Sequence, residues 1–221
     1  MNYTFQFGTI VGYLPDFAAG AWLTLRLSTL ALIAGMSIGT LAAIALTYGS
    51  PWTRRPALVY VEFIRNTPFL IQLYFVFFAL PSFGLRLSPS NAALLAMSIN
   101  FGAYATEIVR AGIEAVPSGQ IEAGRSLGLK TAQIVRFIVL FPAIRAVYPA
   151  LTSQFVLLLL GSSIVSAIAA EELTAIANNI NSVTFRSFEV YLTATAIYVA
   201  MALSFKGLFG LVHRTVFAAR G

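Results

Sequence analysis

Apolar positions along this chain gather into five long runs rather than alternating with polar ones. The runs cover residues 21–47, 57–80, 92–111, 144–169 and 190–212. Each reaches the roughly 20 apolar residues that a helix needs to cross a bilayer. Turn-forming residues punctuate them: Gly49, Ser50 and Pro51 follow the first run, Pro81 and Pro89 bracket the loop after the second, and Pro117 follows the third. The pattern predicts an all-α integral membrane protein with five transmembrane helices. No internal repeat is evident. The longest stretch between runs, about residues 112–143, is too short to fold alone.

Composition agrees. Of 221 residues, 58% are hydrophobic and 10% charged, against about 25% charged in a soluble domain. A soluble chain of this size has too little interior for that apolar surface. Cysteine is absent, which excludes disulfide frameworks and thiolate chemistry. A net charge of +6 suggests nucleic acid in a soluble protein. In a membrane protein, basic residues instead report topology, because they stay on the cytoplasmic side. Arg54, Arg55, Arg125, Lys130, Arg136, Arg145, Arg214 and Arg220 fall on one side, and Arg26, Arg86 and Arg186 on the other. Eight against three puts the N-terminus outside and the C-terminus in the cytoplasm, with no nucleic-acid role. Residues 1–20 carry no Lys or Arg, so they are not a signal peptide. With their aromatic residues and Pro15 they read as an outer-face interfacial segment. Residues 21–213 form the membrane domain, and 214–221 a cytoplasmic tail.

Several chemistries are missing. There is no P-loop motif, so the chain has no ATP site of that type. His213 is the single histidine and sits beside Arg214, where an interfacial role is far more plausible than metal ligation. No nucleophile–base pair is spaced for catalysis. No catalytic residue, metal site or cofactor is expected in this chain.

The loop after the third run is the informative one. Ser118 or Gly119 fits a helix cap, Glu122 a first turn, and Gly128 a left-handed stop. The result is a cytoplasmic helix over about 118–129, showing Ile121, Ala123 and Leu127 with Glu122 and Arg125 on other faces. Too short to persist alone, it needs a supporting surface: a protein partner or the bilayer.

Glu122-Ala123-Gly124, Gly128, and Ile138 ten residues later resemble the EAA signature of binding-protein-dependent ABC importer permeases. Other segments resemble the polar amino acid branch of that family. They are Glu62 through Pro68, Gln72, Leu80-Pro81, Gly102 through Glu107, Arg110 to Gly112, Gly119-Gln120, Ser162 through Ser166, and Glu172. The matches run collinearly over about residues 19–200. The resemblance implies a type I importer permease of the bacterial inner membrane. It implies a second permease subunit, two cytoplasmic ATPase subunits that carry ATP and Mg, and a periplasmic or lipid-anchored solute-binding protein. It also assigns ATPase coupling to Gly119, Gln120, Glu122, Ala123, Gly124, Leu127 and Gly128, and implies uptake of a polar amino acid or related small polar solute.

Three departures stand out. Gly124 replaces the usual Ala, at a cost of about 1 kcal/mol in helix propensity, and suggests closer contact with the ATPase. The proline expected at 141 is displaced to Pro142, marking a kink before the fourth span. Where the family often has a polar pair, this chain has Leu160 and Gly161. Either a partner permease supplies the polar contacts or the solute is atypical; of a homodimer and a heterodimer, the loss leans towards the heterodimer.

Polar residues inside spans tend to face cavities or partner helices. Asn100, Tyr104 and Glu107 share one helical face. With Gln72, Gln154, Ser162 and Ser163 they make a candidate solute site, Glu107 receiving an ammonium group. Alternatively Glu107 pairs with Arg110, and the serines bond to their own backbone. Glu62 and Arg65, near the cytoplasmic end of the second span, are spaced to pair with each other or to contact neighbouring loops. Gly35 and Gly39 permit close helix approach, within or between subunits. Glu171, Glu172, Asn178, Asn179 and Asn181 read as a solvated outer loop or a binding-protein contact. Competing functions are a self-sufficient transporter or channel using Glu107, which lacks the expected inverted repeat, and a membrane assembly factor.

Overall fold

The computed structural model describes residues 4–218; Arg220 and the end of the tail lie outside them. Every regular element among these residues is helical: α1 (Phe7–Val11), α2 (Leu14–Tyr48), α3 (Pro51–Arg65), α4 (Phe69–Tyr74), α5 (Pro89–Glu114), α6 (Ser118–Ser126), α7 (Thr131–Ile134), α8 (Leu140–Gly161), α9 (Leu173–Thr184) and α10 (Ser187–His213). Short π and 3-10 turns prolong α4, α7, α8 and α10.

Four of these helices, with their extensions, are long and apolar enough to cross a membrane: Leu14–Tyr48, Pro89–Glu114, Thr131–Ile168 and Ser187–Phe217. The fifth span is not one helix. Pro51–Arg65 and Phe69–Phe83 meet at 111°. The run at 57–80 is therefore continuous in hydropathy but broken in backbone. Pro68 supplies the break, because it donates no N–H and keeps Thr67 out of the helical region. The carbonyls released at the bend are recovered locally. The Gln72 amide donates to the Ile64 carbonyl at 2.8 Å and the Thr67 carbonyl at 3.0 Å. A bent span is tolerable only when such groups are satisfied.

Two other boundaries shift. The first long helix starts at Leu14, seven residues before the apolar run, because Pro15 sits in its first turn, where a missing N–H costs nothing. Phe17 is fully buried and packs with Ile10 against Leu173, Ile180 and Val190, so this stretch is anchored to α9 and α10. The fourth span starts at Thr131 and passes through a π turn at Val135–Val139, just before Pro142. The expected irregularity is thus a widened turn upstream of the proline.

The Gly35/Gly39 pair works within the subunit. A methyl at Gly35 would lie 2.7 Å from Phe101 and 2.9 Å from the Ser98 carbonyl, and one at Gly39 2.9 Å from the Gly102 carbonyl. These glycines let α2 and α5 touch backbone to backbone. Above them, Leu27 and Ala31 of α2 join Leu73, Ala92, Ala96, Met97 and Val165 in the main buried cluster. Helices α5 and α8 are thereby fixed, and a cavity opens between them.

Candidate functional site

A cavity of about 270 Å³ lies between α5 and α8, closed at one side by Phe69 just after the bend. Its polar groups come from Asn100 and Tyr104 on α5 and Gln154 on α8; its other walls are Met97, Phe101, Leu157, Leu158, Gly161 and Ile164. Asn100 and Tyr104 are four residues apart and so project from one face. Asn100 donates to the Gln72 Oε1 at 2.9 Å, leaving its own Oδ1 free to accept. Among the described residues, the Gln154 amide and the Tyr104 hydroxyl have no hydrogen-bonding partner. The cavity therefore offers amide and phenol groups, both donors and acceptors, and no charge.

Gln72 does not line this cavity but stands behind it. Its Nε2 is spent on the bend, including the Thr67 hydroxyl at 2.8 Å, while its Oε1 orients Asn100. Glu107 lies elsewhere. It lines a second cavity, of about 300 Å³, with Arg54, Glu62, Arg110 and Glu114. Its carboxylate accepts from Arg110 at 2.8 Å and lies 3.7 Å from Arg65, while Arg110 also bonds Glu114 at 2.8 Å. Of the two readings of Glu107, the pairing with Arg110 is the one present. The expected Glu62–Arg65 pair is replaced by contacts across and along the helix: Arg65 reaches α5, and Glu62 accepts from Asn66 at 3.1 Å. Arg65 also stacks over the Tyr104 ring at 5.7 Å. Sequence reasoning placed Arg65 in a motif without finding this role, because the contact crosses between helices.

The serines after Gly161 form a 3-10 turn, Ser162–Ile168, in which Ser162, Ser163 and Ser166 each donate to a carbonyl three residues back, at 2.7, 2.9 and 2.7 Å. Ser162 and Ser163 therefore shape the backbone rather than line the cavity. At Gly161 a Cβ would meet nothing within 4 Å, so the lost polar pair leaves open space on the cavity wall.

Beyond this turn, Glu172 is fully buried, which corrects its reading as part of a solvated segment. Its side chain caps α9 by accepting from the Ala175 N–H at 2.9 Å. It also accepts from the Tyr198 hydroxyl at 2.6 Å and the Thr24 hydroxyl at 3.5 Å, tying α2, α9 and α10 together. Burial pushes the Glu172 carboxyl above the ordinary carboxylate range, against the pull of these hydrogen bonds. Glu171, Asn178 and Asn179 are exposed, but Asn178 and Asn179 belong to a helix, not a loop.

The short helix α6 begins at Ser118 with Pro117 as its cap, so neither Ser118 nor Gly119 caps it, and Glu122 falls in the second turn. It ends as expected: Gly128 has φ +75°, and the N–H groups of Gly128 and Leu129 return to the Arg125 and Gly124 carbonyls at 2.9 and 3.1 Å. Ile121 and Leu129 pack on Val116, Ile134 and Val139. Gly124 faces the same way. A methyl there would lie 2.6 Å from Ile138, so its missing side chain admits the chain's own Ile138 and not an outside partner. Gly119, Gln120, Glu122, Ala123 and Leu127 remain exposed, Leu127 at 80%. Leu127 and the Glu122 carboxylate thus offer an apolar and a charged contact on different faces of this short helix.

A family model described as "Binding-protein-dependent transport system inner membrane component" matches residues 35–218. The chain is 36% identical over 201 residues to the glutamine transport system permease protein GlnP of Escherichia coli K12, covering 90% of this chain and 92% of that one. It is 35% identical over 185 residues to the L-cystine transport system permease protein TcyB of Bacillus subtilis 168, covering 83% and 79%. Among solved structures, a chain of an amino acid ABC transporter crystallised with histidines superposes with a TM-score of 0.90 at 39% identity, covering 97% and 100%. An inward-facing MetNI methionine transporter shares the fold, with a TM-score of 0.79 at 21% identity.

Proposed function

Because the chain belongs to the family of binding-protein-dependent transport system inner membrane components, we propose that it is the membrane-spanning subunit of an ATP-driven importer. Its solute is a polar amino acid or a related small polar compound, carried into the cytoplasm. The N-terminus lies outside and the C-terminus inside. One observation carries the solute reading: the cavity between α5 and α8 combines Asn100, Tyr104 and Gln154 with apolar walls. Its volume sits just under the roughly 300–1,000 Å³ range of ligand pockets. Amide and phenol groups in an apolar enclosure bind a polar solute without demanding a fixed charge.

Energy reaches the cavity through α6. Its inward face, Ile121 and Gly124, is keyed to the start of the fourth span, whose continuation, α8, carries Gln154. Its exposed residues, Glu122, Ala123 and Leu127, engage a groove on a cytoplasmic ATPase, which holds ATP and Mg. A push on α6 therefore travels along one helix to the cavity wall. A second permease subunit completes the pathway, and a solute-binding protein delivers to the outer mouth. The uncharged cavity favours a sister subunit that brings the charged contacts.

The test is co-purification. The wild-type chain retains the ATPase, and Glu122→Arg or Leu127→Asp releases it. ATPase retention and full uptake in both variants would overturn the coupling assignment.

A further inference from the structure

A second groove runs between α8 and α10, lined by Tyr148, Pro149 and Thr152 on one side and by Lys206, Gly210 and His213 on the other, with a volume of about 330 Å³. Lys206 is exposed, and stands in a mostly apolar helix among the exposed Leu203, Leu208 and Leu211. No acidic residue occurs at 123–170 or 190–221, and among the described residues Lys206 forms no ion pair. No acidic residue stands on α8, and the one on α10, Glu189, lies in its first turn, at the opposite end from Lys206.

Lys206, Gly210 and His213 fall at i, i+4 and i+7, one face of α10. Lys206 is seven residues before the end of α10, roughly 10 Å along the axis. Its flexible stem reaches toward the headgroup layer while its carbons stay among apolar groups. At Gly210 an added Cβ would meet nothing within 4 Å, so the groove is open there. The Tyr148 hydroxyl is spent on the Phe209 carbonyl at 2.9 Å, and that of Thr152 on the Tyr148 carbonyl at 2.9 Å. The free donors facing the groove are thus the cation Lys206 and the imidazole of His213. Arg145 stands one turn before Pro149 on α8, and Arg214 follows His213.

We propose that this groove binds the phosphate of an anionic phospholipid, with acyl chains along the exposed leucines of α10. An anion held by basic groups at the edge of an apolar surface matches a lipid, which carries both chemistries in one molecule. A free phosphate ion matches only the basic part. The proposal stands apart from the transport reading.

The experiment is native mass spectrometry of the full chain in detergent, titrated separately with phosphatidylglycerol, phosphatidylcholine and inorganic phosphate. Wild type retains phosphatidylglycerol over phosphatidylcholine by at least about fivefold, the weight of one cation near an anionic headgroup. Lys206→Gln loses that preference, and Lys206→Arg, which keeps the charge, preserves it. Equal retention of the two lipids, or an unchanged preference in Lys206→Gln, overturns the proposal. So does binding of inorganic phosphate that displaces the lipid completely. So does dissociation of a paired permease subunit in Lys206→Gln with lipid retention intact, which would assign Lys206 to a protein contact.

Discussion

Gln72 accepts the Asn100 amide at 2.9 Å and, with its own amide, closes the 111° bend at the Ile64 and Thr67 carbonyls. One side chain thus holds the break in the second span and aims a cavity residue. Replacing it by Ala strands the Thr67 carbonyl, leaves the Ile64 carbonyl only the Thr67 hydroxyl at 3.4 Å, and frees Asn100. A buried unsatisfied group costs about 1–3 kcal/mol, so Gln72→Ala is expected to lower the melting temperature in detergent by several degrees. Asn100→Ala, which strands only the Gln72 Oε1, lowers it less, and the double variant falls short of the sum. Additive losses would show that the two side chains act separately.

Glu107 is engaged by two arginines and is absent from the cavity between α5 and α8. Its side chain is 28% exposed, and Arg65 and Arg110 are 40% and 35% exposed, so solvent screens the network. Glu107→Gln is expected to cost under about 1 kcal/mol of stability. Solute dependence of transport should stay within about twofold, because Asn100, Tyr104 and Gln154 keep their places. A loss of solute response in this variant, with stability preserved, would return Glu107 to the binding site.

Much of this was legible in the chain, and the failures share a cause. Length and hydropathy identify helices such as α5, and Gly128 announces the left-handed stop of α6, because those signals are local. The bend at Pro68 hides inside an apolar run, since hydropathy does not register a missing N–H. Asn100 and Tyr104 share a face by helical arithmetic, which also put Glu107 beside them. Glu107 instead takes Arg110, one turn on, a pairing that spacing does offer, and Arg65 from another helix, which no periodicity reports. Glu172 reads as a solvated carboxylate until Thr24 and Tyr198, 148 residues before it and 26 after, close around it.

The close approach of α2 and α5 depends on two missing side chains. Gly35→Ala or Gly39→Ala puts a methyl 2.7–2.9 Å from α5 atoms, including a backbone carbonyl in each case. Overpacking of this kind costs about 1–3 kcal/mol. Either variant is expected to lower the melting temperature, and Gly8→Ala, where an added Cβ meets nothing within 4 Å, serves as the control. Unchanged melting at both positions would refute the contact.

Glu172 makes stability depend on pH. Its carboxyl is raised above 4.5 in the folded protein by burial. The folded state then holds more protons than the unfolded one as pH climbs from 4.5 toward the raised value, so stability falls across that window. Glu172→Gln cannot ionise and lacks this slope. The melting temperature of the variant relative to wild type is expected to rise with pH through the window. A constant difference, or one that shrinks, would mean that the Glu172 carboxyl is not raised.

The most direct test of the importer reading is solute-stimulated ATP hydrolysis. The chain is reconstituted in liposomes with its partner permease, ATPase and binding protein, and hydrolysis is followed across solute concentrations. Asn100→Ala and Gln154→Ala are expected to weaken or abolish the response to solute while basal hydrolysis persists. A solute response identical to wild type in both variants would contradict the placement of the solute between α5 and α8.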